Sequence, residues 1–483
     1  MRAGGIWRAA LGCALSLCVA PHARATTAAE VGGCEGTIPS TIIDANPGNY
    51  RSLLDPGLAP GTLLRLAAGI YPDGLPFNGH HGAENDCIIV EGPDVWPPTA
   101  RFTVRTCCNT VSIQDSSYLV IRNLEIDGTG DTVSADGVKA ETGGNLAHHI
   151  TLENLFIHHH DLSQQTVCIS TKIPAWNWVI RNNVLDTCGT GAYLGNSDGE
   201  QELVNSLIEH NLFVNSVGYN MQVKHQNGRN TGIGMPASGR TIIRHNVFSK
   251  GTNSSGGADA RPNLLLGHWP LTGAGSDDDY LVYGNLFYGN PTGNEPLFQG
   301  EGNVIFYDNL LVNTAGAAVR LQAHEDQPRR VRVFQNTVVA DDVGISVTNA
   351  DDTNYEQWII GNAVFANSPI LGGTTEMENL VGTEAAAATY LTAPAGTPGG
   401  GLDLFPLANG LLQGSVTTTG LEGYEDWDRD FNGTVRSLDY RGGYAGQGTN
   451  PGWALALERK PDTGLFADGF ESGDTSAWSA AVP

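Results

Sequence analysis

IRNLEI (121–126), LENLFI (152–157), IRNNVL (180–185), IEHNLFV (208–214), IRHNVFS (243–249), VYGNLFY (282–288), FYDNLLV (306–312), VFQNTVV (333–339) and IIGNAVF (359–365) are variants of one phrase. Each sets an asparagine between a β-rich stretch and another apolar pair: Asn123, Asn154, Asn183, Asn211, Asn246, Asn285, Asn309, Asn336 and Asn362, at gaps of 24 to 39 residues. Self-similarity at such a period marks stacked repeats. Between the asparagines lie short alternating apolar and polar runs rich in Val, Ile and Phe and broken by Gly, Asn and Asp, which is strand-and-turn chemistry and excludes a helical repeat. A circuit of about three short strands that climbs one inter-strand spacing, ~4.8 Å, is a parallel β-helix. The spacing predicts about ten rungs. A turn asparagine tolerates left-handed backbone angles and can pass its side-chain amide to the equivalent asparagine one rung away, so the column reads as structural.

The 483 residues suit one large solenoid with terminal additions, and 62 glycines with 16% charged residues fit a turn-rich β protein. Residues 1–25 read as a signal peptide: Arg2 and Arg8 precede the apolar run Ala9 to Ala20, and Ala23-Arg24-Ala25 offers a cleavage site. A secreted form, extracellular or periplasmic, is expected, with no membrane span. Cys34, Cys87, Cys107, Cys108, Cys168 and Cys188 then remain, an even number that allows up to three disulfides in any pairing. No CxxC spacing supports zinc. The formal charge of −25 argues against a nucleic-acid partner, because phosphate binding needs a basic surface. It leaves room for an acidic polysaccharide bound along a local basic groove.

A second strand follows each asparagine, in DGVKAE, VCISTK, GAYLGN, NMQVKHQ, LLLGHW, PLFQGE, AVRLQAH and GISVTN. Period two points Val138, Ala140, Met221, Val223, Val319 and Leu321 inward. Lys139, Glu141, Ser170, Lys172, Tyr193, Gln222, Lys224, Gln226, Arg320, Gln322 and His324 then face water, with His268, Gln299 and Glu301 nearby. Three of the five lysines fall on this strip. Lys172 and Lys224 should lie two rungs apart, ~10 Å, and Lys224 and Arg320 three rungs apart, ~14 Å. YNMQVKHQNGRN (219–230) concentrates Gln222, Lys224, His225, Gln226 and Arg229 within the first of the two longest gaps, Asn211 to Asn246 and Asn246 to Asn285, and solenoid insertions gather on the binding face.

PGTLLRLAAGIYPDGLPFNGHHGAENDCIIVEGP (60–93) resembles the opening, and DWDRDFNGTVRSLDYRGGYAG (426–446) the closing segment, of secreted bacterial right-handed parallel β-helix proteins. With the asparagine rungs and the basic strip, the resemblance covers most of residues 40 to 445. It implies an all-β, single-stranded right-handed parallel β-helix, similar to polysaccharide lyases of the pectate lyase, alginate lyase and chondroitinase B kinds. Such lyases cleave uronate polymers by β-elimination, in which a base takes the C5 proton while cations neutralise the carboxylate. Lys224 is the candidate base, and Arg229 or Arg320 holds the carboxylate. His225, His268 and Glu301 complete the catalytic set, while Lys172, Tyr193, Gln222, Gln226, Gln299, Gln322 and His324 contact sugar.

Two alternatives stand beside this reading. A glycoside hydrolase would need two carboxyl groups flanking the scissile bond, for which Glu301 with Asp278 or Asp279 is the best pair. A non-catalytic carbohydrate-binding or adhesion solenoid needs neither. Asp428, Asp430, Asn432, Gly433 and Asp439 occupy positions 1, 3, 5, 6 and 12 of a calcium loop, so calcium is a possible cofactor. His158, His159, His160 and Asp161 read as turn and rung surface, because adjacent strand residues cannot all face one ion. His80 and His81 are left unassigned. The organisation expected is an N-terminal cap with first rungs over 26–110, rungs over 111–370, a strap and closing segment over 371–445, and a tail over 446–483. A monomer is expected.

Overall fold

The computed structural model describes residues 26–105, 109–140 and 146–462. A short helix, Ala28–Gly32, leads in; the Thr27 hydroxyl accepts from Glu30 N and the Glu30 carboxylate accepts from Thr27 N, a reciprocal cap. A second helix, Tyr50–Leu54, closes the end of the coil, with Tyr50 and Leu54 buried in the main core. From Thr41 onward the chain winds. Of the 15 strands in the first sheet, 13 succeed one another in chain order from Thr41–Ala45 to Thr375–Met377, and Ala175–Trp176 and Leu203–Val204 are side pairings. The other two strands of each circuit join a 21-stranded sheet whose pairings run in parallel from one winding to the next. The coil is therefore longer than the asparagine repeats predict. Three windings precede Asn123 and one follows Asn362, in segments that carry no repeat phrase.

The asparagine column is two columns. Asn183 donates from both its backbone N and its Nδ2 to Asn211 Oδ1, at 3.0 and 2.9 Å, and the same pair of bonds recurs through Asn246, Asn285, Asn309, Asn336 and Asn362. The ladder ends on Asn379, only 17 residues on, which the period misses. Asn123 and Asn154 are outside it. They hold the position before the ladder residue, with φ of 59° and 51°, shared with Asn182, His210, His245, Asp308 and Gln335. Leu124 and Leu155 stand where the amides would be, and Leu155 N donates to Asn183 Oδ1. Left-handed backbone and amide stacking both favour asparagine, so one residue type marks two adjacent places.

Inside the coil, alternate residues of all three strands pack one continuous core, with Phe213, Phe248 and Phe287 stacked at 5.0 and 4.8 Å. Two of the outer faces are covered as well. Leu391, Leu402, Leu404, Phe405, Phe431 and Tyr444 lie over Leu212, Val247, Leu286, Leu310 and Val339, and Val416, Leu421 and the leading helix lie over Leu207, Ile242, Leu281 and Ile305. The C-terminal strap then runs back along the turn column, where Lys460 Nζ donates to Phe431 O and Gly284 O and Arg459 reaches Asn154 and Asn182. Disulfides join Cys34 to Cys87 and Cys168 to Cys188. Cys107, Cys108, Glu141, the signal-peptide assignment over 1–25 and the tail beyond 462 lie outside the described residues. Among the described residues no helix is long and apolar enough to cross a membrane.

Candidate functional site

The third face carries the polar strip, and strand register orders it. One outward column reads Lys139, Ser170, Tyr193, Gln222, Leu265, Gln299, Arg320. The next, two residues along each strand, reads Lys172, Gly195, Lys224, Gly267, Glu301, Gln322, as their backbone bonds to the preceding windings show. Lys172 and Lys224 are thus two windings apart and Lys224 and Arg320 three, about 10 and 14 Å along the axis.

Glycines separate the charged members of that second column. A Cβ on Gly267 would lie 2.3 Å from His225 N, so the backbone there has room for nothing larger. A Cβ on Gly195 would sit 3.2 Å from Lys224 Cβ, and its absence leaves a gap between the two lysine side chains. Lys172 Nζ lies 3.4 Å from the centroid of the Tyr193 ring. Burial, helped by the nearby charges of Lys139 and Lys224 and opposed by Asp136, brings Lys172 down to about 8. Burial also lowers Lys224, against the pull of Glu325 and Glu301, and raises the Tyr193 phenol. His225 is lowered by burial, and its ring centroid is 5.3 Å from that of His268, whose Nδ1 donates to Trp269 O.

Farther along, Gln299, Arg320, Gln322 and His324 line a cleft of about 400 Å³ with Tyr219, Arg261 and Glu295. Burial raises the Glu295 carboxyl, while Arg320, Arg261, Lys250 and His324 pull it the other way. Arg320 lines this cleft while its Nη2 lies 3.6 Å from Asp342, whose side chain is more than half exposed. Tyr219, Arg261 and Glu295 were not singled out as site residues: Tyr219 and Arg261 fall within the two long gaps between Asn211 and Asn285, and Glu295 follows Asn285, where nothing in the spacing marks it.

Several expected roles are corrected. Arg229 has no exposed side-chain surface: it pairs with Asp278, donates to Gln226 Oε1 and packs 5.6 Å from the Trp269 ring, so it cannot hold a substrate carboxylate. Gln226 is spent in the same network, with Nε2 donating to Leu203 O. Glu301 is 1% exposed, and its Oε2 accepts from the backbone N of His324, Glu325 and Asp326 while Oε1 accepts from His268 N. It clamps a turn. With Asp278 on Arg229 and Asp279 on Arg330, the hydrolase pair is dissolved into the scaffold.

In the closing segment, Asp430 Oδ1 accepts from Asn432 N, Thr434 N and the Thr434 hydroxyl, and Oδ2 from Ala445 N. Asp439 accepts from Ser415 and Asn432 donates to Asn450. Among the described residues, Asp428, Asp430 and Asp439 do not bring three carboxylate oxygens within 4.8 Å of one another.

A family model described as right handed beta helix region matches residues 174–364. The matched span holds most of the ladder and of the strip. The fold is a right-handed parallel β-helix. This β-helix is similar to three solved structures at low identity. An alginate lyase from Paenibacillus sp. aligns at 16% identity with a TM-score of 0.48, over 70% of this chain and 100% of that one. A pectate lyase aligns at 12% and 0.46, over 83% and 98%. A lacto-N-biosidase from Eubacterium ramulus aligns at 12% and 0.43, over 71% and 68%. No curated protein matches the sequence.

Proposed function

We propose that this β-helix acts on a uronate-containing acidic polysaccharide by β-elimination, with the chain lying along the solenoid axis over the lysine strip. The observation that carries the reading is the gap over Gly195, flanked in register by Lys172 and Lys224 and bordered by the Tyr193 phenol. A uronate carboxylate seated there meets two lysines whose affinities for protons burial has lowered. Lys172, mostly charged at neutral pH, offsets the carboxylate and so acidifies the C5 proton. Lys224 in its neutral form removes that proton. The C5 electrons form the C4–C5 double bond, the C4–O4 bond breaks, and Tyr193, protonated through the neutral range, supplies the proton to the leaving oxygen.

Arg320, three windings on, is too far to share that carboxylate. With Arg261, His324, Gln299 and Gln322 it suits another anionic sugar of the same chain. Half-buried His225 borders the path between, whereas Gln222 and His268, expected beside it, are buried. The direct test is incubation with alginate, pectate and glycosaminoglycans while recording the ultraviolet absorbance of the unsaturated product. Lys224→Ala should abolish the absorbance and retain binding. Binding without turnover in the unaltered protein would instead favour an adhesion solenoid, and new reducing ends without absorbance a hydrolase. A secreted, monomeric protein fits this reading.

A further inference from the structure

His158 and His159 are consecutive, yet their rings point to the same side. The expectation that neighbours on a strand diverge fails here because His159 has φ 58°, which turns its side chain back over its predecessor. The two Nδ1 atoms are 2.6 Å apart, and His158 Nδ1 is 3.3 Å from Asp127 Oδ1 on the winding below, where register pairs Asp127 with His158. His160 is elsewhere, buried with Nδ1 on Ala135 O. The far nitrogen of His158, Nε2, is 3.0 Å from Glu125 Oε1. A proton on Nε2 for that contact leaves Nδ1 as a lone pair aimed between Asp127 and His159. A carboxylate behind a histidine is the arrangement that orients imidazole toward a metal. Arg101, on both Glu125 and Asp127, balances the acidic pair.

The same chain offers a contrast. His148 and His149 repeat the geometry, with Nδ1 atoms 2.7 Å apart and φ 55° at His149. They pack between Tyr118 and Trp176, and the outer nitrogen of His149 contacts the Asn177 amide. Among the described residues no carboxylate oxygen faces their nitrogens as Asp127 and Glu125 face those of His158, so a shared hydrogen bond accounts for that pair.

We infer that Asp127, His158 and His159 form a binding site for one divalent transition-metal ion of the zinc class, with the fourth position open to solvent beside exposed His159. The three donor atoms lie within 4.8 Å of one another. Two imidazoles and one carboxylate suit zinc, nickel or copper rather than calcium. Tetrahedral bonds of about 2.0–2.1 Å need roughly 3.3 Å between nitrogens, so the His159 ring swings outward on binding and carries its proton on Nε2.

Titration calorimetry of the full chain with zinc or nickel chloride tests this. One ion per chain is expected. His159→Asn, which keeps the left-handed backbone, and Asp127→Asn should each weaken binding at least tenfold, and His149→Asn should leave it unchanged. Zinc should raise the melting temperature of the unaltered protein but not of His159→Asn, and calcium should not compete. Absence of uptake overturns the site. So does uptake indifferent to both variants.

Discussion

The guanidinium of Arg229 and the carboxylate of Asp278 form an ion pair in which the side chains are 0% and 3% exposed. Removing one partner of a buried pair strands the other charge, at a cost of about 3–5 kcal/mol. Arg229→Met should therefore lower the urea midpoint sharply. At temperatures where it remains folded it should bind polysaccharide as the unaltered protein does. A variant of normal stability that loses binding would return Arg229 to the groove.

The split of the asparagine column predicts opposite effects at neighbouring positions. Asn336→Ala removes the acceptor of Asn309 N and strips the Asn336 amide from Phe306 O, Phe334 O and Asn362. Each buried group left unpaired costs about 1–3 kcal/mol. Gln335 sits at φ 52° with both side-chain polar atoms buried and unbonded. Gln335→Gly relieves the left-handed strain and should stabilise by about 1 kcal/mol. Denaturant titration of the two variants, one shifted down and the other up, is the check.

If Lys224 is the base, elimination should rise with pH along a limb set by its deprotonation. The Glu325 charge favours protonated Lys224. Glu325→Gln should therefore move the limb toward lower pH, speeding turnover at neutral pH. An unmoved limb would detach the rate from Lys224.

Burial brings Lys250 and Lys460 each down to about 7, well below the ordinary lysine value of 10.5. Between those limits the unfolded chain binds more protons than the folded one, so stability rises with pH. The buried tyrosines Tyr50 and Tyr71, raised to about 12, reverse the slope above their ordinary value of 10.0. Urea midpoints should climb from pH 7 to 9 and fall beyond 10; a flat profile over pH 7 to 9 would contradict the lysine assignment.

Cys168 and Cys188 close a 20-residue separation that encloses Lys172. A link of that length is worth about 3 kcal/mol. Cys168→Ala with Cys188→Ala should lower the melting temperature and loosen the Lys172 strand, seen as faster amide exchange at Ser170 and Thr171.

Sequence alone determined the coil, because stacking one winding on the next repeats the same physical demand: an inward apolar pair, an outward polar residue and a turn that tolerates left-handed angles. It determined the strip too, since period two decides which side chains leave the core and parallel register keeps them in line. Tertiary structure alone decided availability. Arg229 and Glu301 looked as free as Lys224 in the one-dimensional text, but the excursion carrying Asp278 and the turn at His324–Asp326 come from the next winding, far along the chain, and consume them. The convergence of His158, His159 and Asp127 likewise depends on one backbone angle and one inter-winding pairing, neither of which a residue type announces.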